Sequence, residues 1–201
     1  MRVRLLTGLF VALASLSTLV ESASANNLLM EEILTGGAPR GRMPNSYGTL
    51  FGGSSSIGRA TVSFASHEAP GTIVINTAER RLYYVLGNGQ ALRYGIGVGR
   101  VGFTWGGVTR VSAKKEWPAW TPPSQMLRRR PDLPRHMKGG PENPLGARAM
   151  YLGSSLFRIH GSNEPETIGT AVSSGCFRLT NDDVIDLYGR VRVGTKVIVL
   201  R

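Results

Sequence analysis

Glycine and proline cut the chain from Arg59 onward into short β-rich runs, which leaves room for strands and little for long helices. The runs are Ala60 to Ala65, Thr72 to Asn76, Leu82 to Leu86, Ala91 to Val98 and Val108 to Ala113, with Pro70-Gly71 and Gly87-Asn88-Gly89 between them. Asn88-Gly89 predicts a tight hairpin, because both residues tolerate positive φ. Short strands at this spacing predict a mainly β chain, folded as a sandwich or barrel. More strands are expected over Ala149 to Leu152, Leu156 to His160 and Thr195 to Leu200. The clearest helix opens at Thr180-Asn181-Asp182-Asp183. There Thr180 and Asp183 resemble a capping box, and the aspartates suit the positive end of the helix. Val184, Leu187 and Tyr188 form its apolar stripe, and Gly189 to Arg192 end it.

Residues 117–147 break the strand rhythm with prolines at 118, 122, 123, 131, 134, 141 and 144 and the basic run Arg128-Arg129-Arg130. So long a connection is usually functional or disordered. It reads either as a lid or wall over a cleft or as a plain ordered excursion. Gly97-Val98-Gly99-Arg100-Val101-Gly102 matches G-x-G-x-x-G, but Phe103-Thr104-Trp105-Gly106-Gly107 has no helical periodicity and a strand follows. The dinucleotide reading therefore lacks its strand-turn-helix context.

The N-terminus has the pattern of a secretory signal: Arg2 and Arg4, an apolar run from Leu5 to Val20, then Ala23-Ser24-Ala25. That run is shorter than the ~20 residues a membrane span prefers. Residues 1–25 are thus expected to be a cleaved signal, residues 26–69 a flexible Gly/Ser-rich segment leading into the first strand, and residues 70–201 one folded domain. An exported, soluble monomer in the periplasm or cell envelope is expected, with no stable membrane span. Loss of Arg2, Arg4 and Glu21 would lower the formal charge from +11 to +10. So basic a protein suits anionic partners, which outside the cytoplasm are wall polymers and lipid headgroups. No aromatic-basic nucleic-acid signature is present, and nucleic acid is not an expected partner.

Cys176 is the single cysteine of a chain that reads as exported, where cysteines usually pair as disulfides. His160 precedes it by sixteen positions. Alternation along Leu156 to His160 puts Phe157 and Ile159 on one face and Arg158 with His160 on the other, away from the core. If residues 174–178 are also extended, Ser174, Cys176 and Arg178 share a face. A thiol beside an imidazole suits acyl transfer, with Cys176 as nucleophile and His160 as general base and then acid. Backbone N–H groups near Gly175 and Cys176 suit an oxyanion, and Arg178 suits a substrate carboxylate. The packing readings stand beside these. A lone cysteine or histidine is often buried filler, and Arg178 could instead pair with Asp182 or Asp183. His67, His136, His160 and Cys176 are too scattered to form a metal site, and no metal or cofactor is expected.

With these residues in view, the chain resembles the L,D-transpeptidases with a YkuD-type catalytic domain. The resemblance is carried by His160-Gly161-Ser162 and Ser173-Ser174-Gly175-Cys176-Phe177-Arg178, supported by Gly71-Thr72-Ile73-Val74-Ile75 and Asn143-Pro144-Leu145-Gly146. It implies a β-sandwich with one or two short helices and a two-step reaction on peptidoglycan tetrapeptide stems. Cys176 would form a thioester with the third residue of the stem and expel D-alanine. An amine would then resolve it, from another stem peptide, a free D-amino acid or a protein. The Gly161 carbonyl would orient His160, and Arg178 would bind substrate or support the site. Ser174 stands where many members have a second histidine, which puts oxyanion or thiolate support at that position in question. Two other functions compete: a wall cysteine peptidase or carboxypeptidase, whose nucleophile would ordinarily precede its histidine, and a non-catalytic basic wall-binding protein.

Overall fold

The computed structural model describes residues 57–201. The expected signal over 1–25 and most of the expected flexible segment over 26–69 lie outside the described residues. Within them the fold is a β-sandwich with short helices, as the spacing of the runs predicts.

The centre of the larger sheet is a parallel pair. Strand β2 (Ile73–Asn76) lies beside β11 (Lys196–Leu200), with Ile73 opposite Val197 and Ile75 opposite Val199. β2 is buried on both faces at Ile73, Val74 and Ile75, so its β-branched run is continuous rather than alternating. Outward from β2 come β3 (Arg81–Gly87), β4 (Gln90–Gly95) and β1 (Ala60–Ser63), all antiparallel. Asn88 (φ 51°) and Gly89 (φ 69°) form the hairpin between β3 and β4, the paired positive φ that a primed turn requires.

Strand β6 (Gly107–Glu116) joins the two halves. Its first residues pair with β11, and those from Val111 on pair with β7 (Arg148–Leu152), with a register shift between Val111 and Ala113. A bulge of this kind bends and twists a strand. Beyond it β7, β8 (Arg158–His160) and β10 (Phe177–Arg178) complete a nine-stranded order, β1-β4-β3-β2-β11-β6-β7-β8-β10. Ile73, Ile75 and Leu82 from one half share a single core with Met150, Ile159 and Phe177 from the other.

The expected run Ala91 to Val98 is in fact two strands. β4 ends at Gly95, and β5 (Val98–Gly99) pairs in parallel with β9 (Ala171–Ser173). Between them Gly97 exchanges both backbone hydrogen bonds with Arg178 at 2.9 Å, so this stretch crosses from the large sheet to the edge carrying the cysteine. A six-residue helix, α1 (Ser124–Arg129), lies in the proline-rich excursion. The predicted helix is α2 (Asn181–Arg190), with Thr180 Oγ1 accepting the Asp183 N–H at 3.2 Å. Val184 and Leu187 enter the core. The fully buried Tyr94 fixes α2 to β4 by donating its hydroxyl to Asp186 at 2.6 Å, which satisfies the one polar atom that its burial would otherwise orphan.

Candidate active site

The thiol stands one residue before β10 and the imidazole on β8, two strands that run parallel at the sheet edge. Arg178 is the register partner of His160, and Phe177 that of Ile159. Through the cysteine stretch Ser173, Gly175, Phe177 and Leu179 are buried and Ser174, Cys176 and Arg178 half-buried, but residues 174–176 are not a strand and Gly175 sits at φ +104°, so the extended run expected over 174–178 is confined to β10. On β8, Ile159 enters the core and His160 lies on the opposite side. That side is not open, however: His160 is 4% exposed. The alternation gave the right face but not its cover, which comes from elements remote in sequence.

One contact fixes the chemistry of His160. Its Nδ1 lies 2.6 Å from the Gly161 carbonyl oxygen, which can only accept, so Nδ1 carries the proton and Nε2 presents a lone pair. Burial, and next the charge of Arg178, push the imidazole pKa down to about 3, although the Gly161 and Leu145 carbonyls favour the protonated ring. The ring is thus neutral at physiological pH.

This depression has a stability consequence. An unfolded His160 binds a proton below pH ~6.5, whereas the folded one does not until pH falls to about 3. Its contribution is fully present above pH ~6.5 and drains as pH falls from there toward the folded value, by at most about 1.4 kcal/mol per pH unit. Denaturant midpoints measured across that window should decline less steeply in His160→Gln than in the parent protein. Equal slopes would mean that the imidazole is not held neutral.

Cys176 makes its hydrogen bond with the Leu156 carbonyl, at 3.8 Å from Sγ, and not with the imidazole. Burial pushes its pKa up, opposed by the main-chain N–H and guanidinium of Arg158 and by the charge of Arg178. The resting site therefore holds a thiol and a neutral imidazole rather than an ion pair. Catalytic hydrogen bonds are often made only once substrate is bound.

Gly175 is locked in place. Its φ is +104°, its N–H donates to Ser173 Oγ at 3.1 Å, and its carbonyl accepts from Trp105 Nε1 at 2.9 Å. Ser173 Oγ donates in turn to the Cys176 carbonyl at 2.6 Å. Trp105 stacks on Phe157 with ring centroids 4.8 Å apart. The Gly175 N–H is therefore already committed to Ser173, which leaves the Cys176 N–H as the donor better placed for an oxyanion. Ser174 makes no side-chain hydrogen bond among the described residues. Sequence reasoning passed over Ser173, Trp105 and Phe157; a tryptophan in a glycine-rich stretch was the one available hint of the second.

Arg178 pairs with neither Asp182 nor Asp183. Its Nη1 meets Glu164 Oε2 at 2.8 Å, and its Nε is buried without an acceptor among the described residues. The 117–147 excursion is tied down at its ends, where Trp117 N–H bonds Ala147 O at 2.8 Å and Asn181 Oδ1 takes the Ala147 N–H at 2.8 Å. Midway, Trp120 and Met137 exchange backbone hydrogen bonds of 2.8 and 2.7 Å. Helix α1 reaches the rim of the site, since the Arg129 guanidinium lies 5.2 Å from the centre of the Phe103 ring, with Arg100 4.5 Å from the same ring. The Phe103 carbonyl in turn abuts Gly175.

A sandwich with a thiol and a buried imidazole at the edge of its sheet is the architecture of the L,D-transpeptidase catalytic domain. The model of that domain, YkuD, matches residues 70–199, and the chain belongs to this family. A relative from Escherichia coli K12 named "Probable L,D-transpeptidase ErfK/SrfK" is 42% identical over 137 residues, covering 64% of this chain and 43% of the relative. The chain spans less than half the length of that relative. An L,D-transpeptidase structure from Mycobacterium smegmatis shares the fold, with a TM-score of 0.53 at 20% identity over 65% of this chain and 58% of the other. A Brucella melitensis structure bearing the name "Probable carnitine operon oxidoreductase caia" is 43% identical, with a TM-score of 0.50 over 78% of this chain and all of the other. That name finds no counterpart in the Gly97–Gly102 stretch, where β5 passes into a turn and then β6 with no helix to receive a dinucleotide phosphate.

Proposed function

We propose that this protein is an exported cysteine acyltransferase that acts on peptidoglycan tetrapeptide stems. The observation that carries the reading is the neutral imidazole of His160, its Nδ1 tied to the Gly161 carbonyl, on a strand adjoining the stretch that carries the thiol of Cys176.

In the first step the Sγ–H proton passes to His160 Nε2 and Sγ attacks the carbonyl of the third stem residue. The Cys176 N–H donates to the oxyanion. The tetrahedral adduct collapses with cleavage of the C–N bond, and the departing D-alanine amine takes the proton from His160. A thioester remains on Cys176. In the second step an amine attacks that carbonyl, gives its proton to His160, and the C–S bond breaks to restore the thiol. Arg178, held by Glu164, lies across from His160 and offers its guanidinium to a substrate carboxylate.

The charge of the chain supports a large anionic substrate, and its N-terminal pattern supports export. The formal charge of +11 suits a wall polymer, and the exposed aliphatic residues Val101, Leu156 and Val172 flank the cysteine stretch in its neighbouring segments. The first 25 residues carry the signal pattern, and no helix among the described residues is long and apolar enough to cross a membrane. The acceptor amine belongs to another stem peptide, a free D-amino acid or a protein.

Incubating the protein with a disaccharide-tetrapeptide and weighing the products tests the whole reading. Release of D-alanine together with a crosslinked or amine-exchanged product is expected. Hydrolysed tripeptide alone would make the protein a carboxypeptidase, and unchanged substrate with wall binding retained would leave only a binding protein.

A further inference from the structure

Arg158 is the cation whose charge most favours a thiolate on Cys176. Arg158 Nη1 also donates to the Leu156 carbonyl at 3.0 Å, the same oxygen that accepts from the Cys176 thiol. The guanidinium is seated over the Tyr151 ring, 5.1 Å from its centre. Arg158 Nε is buried and has no acceptor among the described residues. Arg93 and Arg178 Nε are in the same state, so it is the shared Leu156 carbonyl that sets Arg158 apart. Because Arg158 and Cys176 share one carbonyl, loss of the thiol proton removes a donor from that oxygen and creates an anion next to a guanidinium already in place.

We infer that Arg158 is the thiolate-stabilising residue of this site, taking up the charge on Cys176 Sγ as the proton moves to His160. The step balances: the proton goes to Nε2, the electron pair stays on sulfur, and the new anion pairs with a standing cation. This division of labour fits a site in which Ser174 makes no side-chain hydrogen bond and the imidazole is buried and kept neutral. The charged groups that act on the sulfur are Arg158 from β8 and Arg178 from β10, with His160 opposite Arg178, Glu164 reached through Arg178 and Tyr151 beneath Arg158. The inference rests on Cys176 being the nucleophile, but its test does not require acyl transfer.

The experiment follows the alkylation rate of Cys176 by iodoacetamide against pH in the full chain. Arg158→Gln keeps a polar donor for the Leu156 carbonyl and loses the charge. Its alkylation midpoint should rise by about one pH unit or more, with about tenfold slower alkylation at pH 7. Arg158→Lys keeps a charge at a different reach and should fall between the parent and Arg158→Gln. If the neutral variant does not fold, the lysine variant alone decides: an upward shift supports the assignment and an unmoved midpoint overturns it. Unchanged midpoints accompanied by a raised KM for the tetrapeptide would make Arg158 a substrate holder instead. A shifted midpoint in a protein that never forms a thioester would uphold Arg158 and sink the acyltransferase reading.

Discussion

With His160 replaced by Gln, thioester formation from a tetrapeptide should fall by about 10² to 10⁴, the range that general-base help contributes. Glutamine can still donate to the Gly161 carbonyl, so the local fold should persist while the Nε2 lone pair is lost. Cys176→Ala should form no covalent adduct at all, because no other thiol exists in the chain. Intact-protein mass spectrometry after exposure to the disaccharide-tetrapeptide reads both outcomes. An adduct in Cys176→Ala, or an unaltered acylation rate in His160→Gln, would remove these residues from the chemistry. The pH profile separates the base from its surroundings. Since burial and Arg178 hold the free imidazole's pKa near 3, the acid limb of kcat/KM should lie well below pH 6.5. A limb centred near 6.5 would mean that the imidazole is hydrated in solution.

The parts of this fold that could be read from the sequence are those whose cause is local. The Asn88-Gly89 turn follows from what two residues can do at positive φ, and the helix start at Thr180 from one hydroxyl and one amide. The burial of Ile159 on β8 follows from period-two alternation alone. Where the reading stopped, the cause is nonlocal. β10 is two residues long and exists because β8 and Gly97 flank it, and nothing within Phe177-Arg178 announces that. Glu164, the partner of Arg178, lies in a turn fourteen positions away, whereas the nearer Asp183 belongs to a helix that turns it toward Arg59. Alternation puts Arg158 on the face of His160, yet the Leu156 carbonyl it shares with Cys176 depends on two segments meeting and is not visible along either one.

The same nonlocality makes Gly175 the most sensitive backbone position in the site. A methyl group there would collide with the Phe157 ring, meet the Phe103 carbonyl at 3.1 Å and have to hold φ at +104°. The strained conformation costs about 1 to 3 kcal/mol and the overpacking about as much again, so Gly175→Ala should lower Tm by several degrees. Phe157 is stacked on Trp105, whose indole holds the Gly175 carbonyl, so the ring cannot yield without releasing that hydrogen bond. In a trans peptide the carbonyl and the following N–H point in opposite directions. The indole therefore also aims the Cys176 N–H. Rotating this one peptide would turn away the donor assigned to the oxyanion, an interaction worth about 3 to 4 kcal/mol, or 10² to 10³ in rate. Acylation in Gly175→Ala should fall by that factor beyond anything its lowered Tm explains, with alkylation of Cys176 by iodoacetamide much less affected. Trp105→Phe, which keeps the stack and removes the indole N–H, should reproduce the kinetic loss with little change in Tm. Full acylation in both variants would show that the orientation of this peptide does not matter to the reaction.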